Sequence, residues 1–290
     1  MSAKTAIKRG KQSPMKQVFR RLRKNKSSVI SFYFLCFLIL LALSASLFIS
    51  EDLVYQQTPA RRLPPSWEHW FGTDIYGRDI FARVVYGARV SLTIGVVTEI
   101  MAVSVGGVLG AAGAYYGGRL DEIIMRICDV FLAVPSTLLA MCMVSAFGTN
   151  ATSLILALAI ARIPNYARLV RSSVLGIVDR EFVEAAKAAG MSDVKIVTTQ
   201  IIPNSLGPVI VQFTQGVATG ILTAASLSYL GLGVQPPNPE WGALISSARE
   251  YLRTLPYMSI IPGVVVVLTA LAFNLVGDGL RDALDPRLKD

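Results

Sequence analysis

Charge is scarce in this 290-residue chain: Asp, Glu, Lys and Arg make up 16% of it, against roughly 25% in ordinary soluble domains. With 53% of residues hydrophobic and a mean hydropathy of +0.52, that shortage excludes a disordered chain and argues against a simple soluble enzyme. Histidine is scarcer still. The single His69 cannot build a metal cluster alone, because histidine ligands come in groups, and it reads as a polar residue of an extracytoplasmic segment. The three cysteines, Cys36, Cys128 and Cys142, lie in apolar stretches without CxxC spacing, which leaves neither a disulfide framework nor a zinc site. The sequence also lacks a glycine-rich phosphate loop, HExxH, GxSxG and any catalytic constellation. Acids inside the apolar runs are too few for an internal proton relay. Any energy for moving a solute has to come from elsewhere.

What the chain has instead is long apolar runs. Five approach the ~20 residues that cross about 30 Å of hydrocarbon: approximately 29–49, 90–116, 127–147, 207–230 and 259–277. The first follows a basic region, yet it is too long for a signal-peptide core and no small-residue cleavage site follows it. A sixth run, Ala151 to Ile163, has 13 residues before Pro164 and already contains Arg162. Topology decides its status, because cytoplasmic loops collect Lys and Arg. With six spans and the N-terminus inside, the cytoplasmic segments hold 21 bases and the outside segments 7; with five spans the split is 14 against 14. Six spans with both ends cytoplasmic is therefore the reading. The net charge of +9 becomes an orientation signal rather than a nucleic-acid footprint, and no nucleic-acid partner is expected.

The expected organisation is an all-α polytopic membrane bundle. A basic cytoplasmic tail, 1–28, with ten bases and no acid, precedes the first span, 29–49, and an extracytoplasmic segment, 50–89. There Ile80, Phe81, Val84, Val85 and Ala88 recur at helical spacing, with Asp79 and Arg83 as an i,i+4 pair on another face, which predicts a helix lying on the membrane surface. A five-helix core, 90–280, includes a cytoplasmic loop, 162–206, and a cytoplasmic tail, 281–290, closes the chain. GxxxG spacings among Gly106, Gly107, Gly110 and Gly113, and at Gly216 and Gly220, predict close helix contacts. Pro135 should kink the third span, for packing or as a gate. Glu99, about ten residues into the second span, is costly as an ion; it either meets a cationic group along a transport path or is paired within the bundle. Asp129, near Arg126, reads as an interface residue.

The most informative segment is REFVEAAKAAGMSDVKIVTTQIIPNSLGPVIVQ. It predicts a short helix from Asp179 to Ala189, a break at Gly190, a second helix capped by Ser192 and Asp193, and a stop at Pro203. The small residues Ala185, Ala186, Ala188 and Ala189 would let this cytoplasmic helix pair dock closely against another protein.

These residues resemble the permease subunits of bacterial ATP-binding cassette importers. Glu184, Ala185, Ala186, Gly190 and Pro203 match that family's cytoplasmic loop pattern in spacing, while Gln200 stands where an isoleucine is common. FGTDIYGRDIFARVVYGARVSL at 71–92, SLSYLGLGVQPPNPEWG at 226–242 and LAFNLVGDGLRDALDPRL at 271–288 narrow the resemblance. They are similar to the second permease of the dipeptide, oligopeptide, glutathione and nickel branch.

The resemblance implies a non-catalytic subunit of the bacterial inner membrane that binds no cofactor itself. It would form half of a translocation path with a second homologous permease. Two cytoplasmic ATPases would bind ATP and Mg, and an extracytoplasmic binding protein would deliver cargo, peptides first and glutathione or nickel chelates as the alternative. Glu184, Ala185, Ala186, Gly190 and Pro203 would form the ATPase-coupling element. Thr219, Thr223, Ser226 and Ser228, with Glu99, are candidates to line the path, the alternative being helix packing through small residues. Asp74, Arg78, Asp79, Arg83, Gln235 and Trp241 are candidates to meet the binding protein, the alternative being a structural cap. A secondary transporter driven by an ion gradient is the reading of a different class, weakened by the absence of internal repeats. A membrane-embedded enzyme would need clustered catalytic groups that Glu99 alone does not supply.

Overall fold

A computed structural model of the chain describes residues 20, 22, 23 and 25–284. Most of the expected basic tail, and 285–290 of the C-terminal tail, lie outside the described residues. The described chain is helical, with no strand beyond one isolated bridge between Thr73 and Asp79.

Helix α1 spans Lys26–Phe48 and starts at Asn25, whose side chain accepts from the Ser28 amide. A short α2, Glu51–Tyr55, is capped by Ser50. Helix α3, Ile80–Tyr116, begins at Asp79, which accepts from the Ala82 amide at 2.8 Å. Helices α4, Gly118–Leu132, and α5, Ser136–Phe147, meet at a bend of 85°. Helix α6, Ala151–Leu175, is capped by Asn150. The loop helices α7, Glu181–Ala188, and α8, Asp193–Ile196, lead through a π turn, Val197–Ile201, into α9, Ile202–Tyr229. Helix α10, Trp241–Ala248, and α11, Tyr257–Leu284, complete the chain.

Five of these stretches are long and apolar enough to cross a membrane, and the bent pair α4–α5 makes a sixth if it counts as one span. Helix α3 lies at the centre, against α6, α9 and α1, while α11 packs on α9 and α1. The main core joins Leu38 and Ala42 of α1, Val84 and Leu92 of α3, Val217 and Ile221 of α9, and Trp241 of α10. On the outer face of α1, Ile30, Tyr33, Phe37, Leu40, Leu43 and Leu47 are exposed at three- to four-residue spacing. A stripe like that belongs against lipid.

The glycine spacings mark real contacts. A Cβ on Gly106 would stand 2.5 Å from the Ile163 carbonyl oxygen, and one on Gly110 would overlap the Ala167 carbonyl, so α3 and α6 touch backbone to backbone. Gly220 of α9 faces Gly95 of α3.

Four expectations are corrected. The surface helix before the second span is not separate: Ile80–Tyr116 is continuous over 37 residues, about 55 Å at 1.5 Å per residue, because nothing between Ala88 and Val90 breaks it. Asp79 and Arg83 do not pair; Asp79 caps α3 and holds His69 at 2.9 Å, while Arg83 donates to the Val54 carbonyl at 2.6 Å. Pro135 separates two helices rather than kinking one: α4 has ended at Leu132, and Pro135, at φ −53° and ψ 127°, stands outside the helical region as the N-cap of α5. Pro203 is no stop: it sits in the first turn of α9, where the missing N–H costs nothing. The 13-residue run, for its part, extends through Arg162 and Pro164 into a 25-residue helix.

Candidate functional site

Glu99 is fully buried in α3. Its Oε1 accepts from Arg162 Nη1 of α6 at 2.5 Å, and its Oε2 accepts from the Tyr166 hydroxyl one turn further along α6. The same Nη1 donates at 3.1 Å to the carbonyl of Gly216 in α9. Gly216 has no side chain because a Cβ there would collide with the Glu99 carboxylate. Three helices are thus joined by one carboxylate, one guanidinium and one phenol. Of the two readings of Glu99, pairing within the bundle is the one the geometry realises. Arg162 and Tyr166 were missed in the sequence, where the signal was available: two opposite charges, each alone in an apolar run.

Beside this network runs the polar face of α9. Thr219 and Ser226 are exposed and Thr223 is half-buried, at three- to four-residue spacing, and each hydroxyl donates to a carbonyl of its own helix. Gln212 and Gln215 continue the stripe, with Gln215 Nε2 donating to Asp278 of α11 at 3.1 Å. Ser228 departs from it: it is buried against Gly233, with its hydroxyl unpartnered.

Of the two readings of the Asp74, Arg78, Asp79, Arg83 and Trp241 cluster, the burial of its side chains favours the structural cap. Arg78, Asp79, Arg83 and Trp241 are buried. Arg78 binds Asp74 at 2.7 Å, Arg83 Nε lies 3.7 Å from the same carboxylate, and Trp241 Nε1 donates to the Val84 carbonyl at 2.9 Å. These four side chains, and most of Asp74, hold the outer ends of the helices together and are not presented to a partner. Gln235 alone of the six is exposed, turned back onto the Gly231 and Gly233 carbonyls. Glu240, which drew no attention in the sequence, is buried at the head of α10 and accepts from Ser91 and from the Gly242 and Ala243 amides. Among the described residues no three His, Cys, Asp or Glu side chains converge as metal ligands would.

At the opposite end, Val183 and Ala186 anchor α7 to a core of Ala111, Ala114, Val170 and Val174. Glu181, Phe182, Glu184, Ala185, Lys187 and Ala188 are left facing outward. Gly190 follows with φ +74°, the left-handed conformation that closes a helix. Tyr115 at the end of α3 steadies the pair of loop helices, its hydroxyl donating to Asp193 at 2.7 Å and its ring lying 5.4 Å from Lys187 Nζ. Arg171 of α6 grips Asp121 of α4 through two 2.6 Å bonds, and Arg168, not Arg126, takes Asp129. Pro203 lies beyond α8, inside the first turn of α9, so it shapes the loop's exit rather than its docking face.

Known proteins match over nearly the whole chain. Residues 102–290 fit the family described as "Binding-protein-dependent transport system inner membrane component", and residues 13–65 fit the N-terminal TM domain of oligopeptide transport permease C. A dipeptide transport system permease protein from Alkalihalophilus pseudofirmus is 46% identical over 96% of this chain and 91% of its own length. A glutathione transport system permease protein from Escherichia coli is 42% identical over 96% and 92%. A chain of the MetNI methionine ABC transporter in an inward-facing conformation shares the fold, with a TM-score of 0.58 at 18% identity over 71% of this chain and 98% of that one. The reading as an ion-driven secondary transporter falls with these matches. The chain belongs to the binding-protein-dependent inner membrane component family and is a non-catalytic, multi-pass permease subunit of an ATP-binding cassette importer.

Proposed function

We propose that this permease imports di- or oligopeptides, pairing with a second homologous permease to enclose the path. The observation that carries the coupling half of this reading is α7: two apolar residues tie it to the bundle while its other face, with Glu184 and Ala185, stands exposed. That face fits a groove on a cytoplasmic ATPase. Two such ATPases, holding ATP and Mg, would close and turn α6 and α9 as one body, a shear between two access states. The orientation this needs, with the loop and both termini cytoplasmic, agrees with the bases on that side, which still number 20 against 7 once Arg162 is counted inside the bundle.

The polar stripe of Thr219, Thr223 and Ser226 supplies the path wall. A hydroxyl that already donates to its own helix still offers lone pairs, so the wall can accept from cargo amides without holding a charge. Ser228, being buried, is not part of that wall, and Glu99 reaches it only through Arg162. The loop carrying Gln235 is the proposed contact for an extracytoplasmic binding protein, with Trp241 and the Asp74 cluster as its rigid base.

Uptake of labelled di- and tripeptides by cells lacking this gene, with and without its restoration, tests the cargo. Restored peptide uptake supports the reading. Restoration of glutathione uptake alone would move the assignment to the cargo named for the Escherichia coli relative, and uptake of nickel chelates alone to metal.

A further inference from the structure

Arg162 uses only Nη1 in the buried network, giving it to both Glu99 and Gly216. Among the described residues, neither Nε nor Nη2 has a hydrogen-bond partner, and neither is sealed from solvent. Glu99 is wholly enclosed, whereas 17% of the Arg162 side chain is exposed. The exposed member of the pair is therefore the cation, and what it exposes is a fork of free N–H donors, the geometry that takes a carboxylate bidentately. Its place is also fixed. Gly216, which accepts from Arg162, accepts from the Thr219 hydroxyl at 3.2 Å as well, so the fork opens beside the polar stripe of α9. Arg162 lies eleven residues into α6, about 16 Å along the helix axis and so near the middle of the bilayer. Unpaired donors of a charged group at that depth face protein or water, not lipid.

Resting on the peptide-importer reading above, we propose that Arg162 receives the carboxylate of the cargo on its way through, with Glu99 and Tyr166 as the residues that position it. Glu99 keeps the guanidinium aimed, and Tyr166 satisfies the second carboxylate oxygen so that Glu99 does not compete for the free donors. The group recognised is an anion. Of the two sequence readings of Glu99, the one in which it meets a cationic group of the cargo is thereby set aside.

The test uses the complete transporter reconstituted with its partner permease, ATPases and binding protein. The binding protein is supplied at saturation, preloaded with a tripeptide or with its C-terminal amide, so that turnover reports passage rather than capture. The wild type should turn over the free acid about tenfold faster than the amide, the scale of a charge-assisted hydrogen bond. The double variant Glu99→Gln/Arg162→Gln leaves no unpaired buried charge and should bring the two rates together, whereas Arg162→Lys should keep part of the preference. An undiminished preference in the double variant overturns the proposal. If that variant fails to assemble, Glu99→Gln/Arg162→Cys in a background without native cysteines, which likewise leaves no unpaired buried charge, carries the test. An ammonium-bearing thiosulfonate should restore the preference and a sulfonate-bearing one should not; equal restoration by both overturns it. Loss of all peptide turnover in the wild type would instead remove the peptide reading itself.

Discussion

Cutting Arg162 leaves the Glu99 carboxylate unpaired in a place that water does not reach, whereas neutralising both leaves two amides that can still bond to each other. Arg162→Ala should therefore cost about 3 to 5 kcal/mol, and Glu99→Gln/Arg162→Gln much less. Thermal unfolding of the purified protein in detergent would rank the two, and equal losses would mean that the pair is not desolvated. Glycines supply a second contrast. Gly110→Ala puts a methyl into the Ala167 carbonyl and should lower stability by about 1 to 3 kcal/mol, while a Cβ on Gly107 would meet only the Val170 side chain, at 4.0 Å, so that position should accept alanine with no loss. At this scale the sequence was half legible. GxxxG spacing and the cost of a buried acid pointed to Gly106, Gly110 and Glu99, but which helix each one faces depends on rotation about the helix axis, and no local pattern specifies that. For the same reason Arg78, Arg83 and Trp241, polar and outside the apolar runs, read as surface until the fold enclosed them.

Among the elements, the loop helices were the most legible, because caps and breakers are local chemistry. Gly190 has open space around it, so Gly190→Ala meets only the backbone cost of the left-handed conformation, about 1 kcal/mol, and should lower uptake mildly without lowering the amount of protein in the membrane. A full loss of uptake with that variant would mean that the glycine touches the ATPase directly. Long helices were less legible. Hydropathy stops at Arg162 and Pro164, yet α6 continues for eleven residues beyond Pro164, since Glu99 answers the charge and the tertiary contacts of α3 outweigh the one hydrogen bond that proline removes. Continuity of α3 likewise erased the boundary near Ala88, whereas Pro203 fell in the first turn of α9, where it breaks nothing.

For the whole molecule, charge placement is the controlling quantity. A cytoplasm-active reporter inserted at Met191 should work, and an export-active one inserted at Arg253 should work; activity of the reverse pair would invert the bundle and move α7 to the wrong face for ATP. The central claim is that α7 carries the ATPase stroke into a bundle whose α6 and α9 hold the path. Its most direct measurement is paired uptake and ATP hydrolysis by the reconstituted transporter with Gly190→Pro or Glu184→Lys. Proline cannot adopt the positive φ found at residue 190, and lysine reverses a charge on the exposed face. The account predicts normal insertion and continued ATP hydrolysis, with uptake reduced to background in both variants. Wild-type uptake by either variant at normal abundance would contradict it.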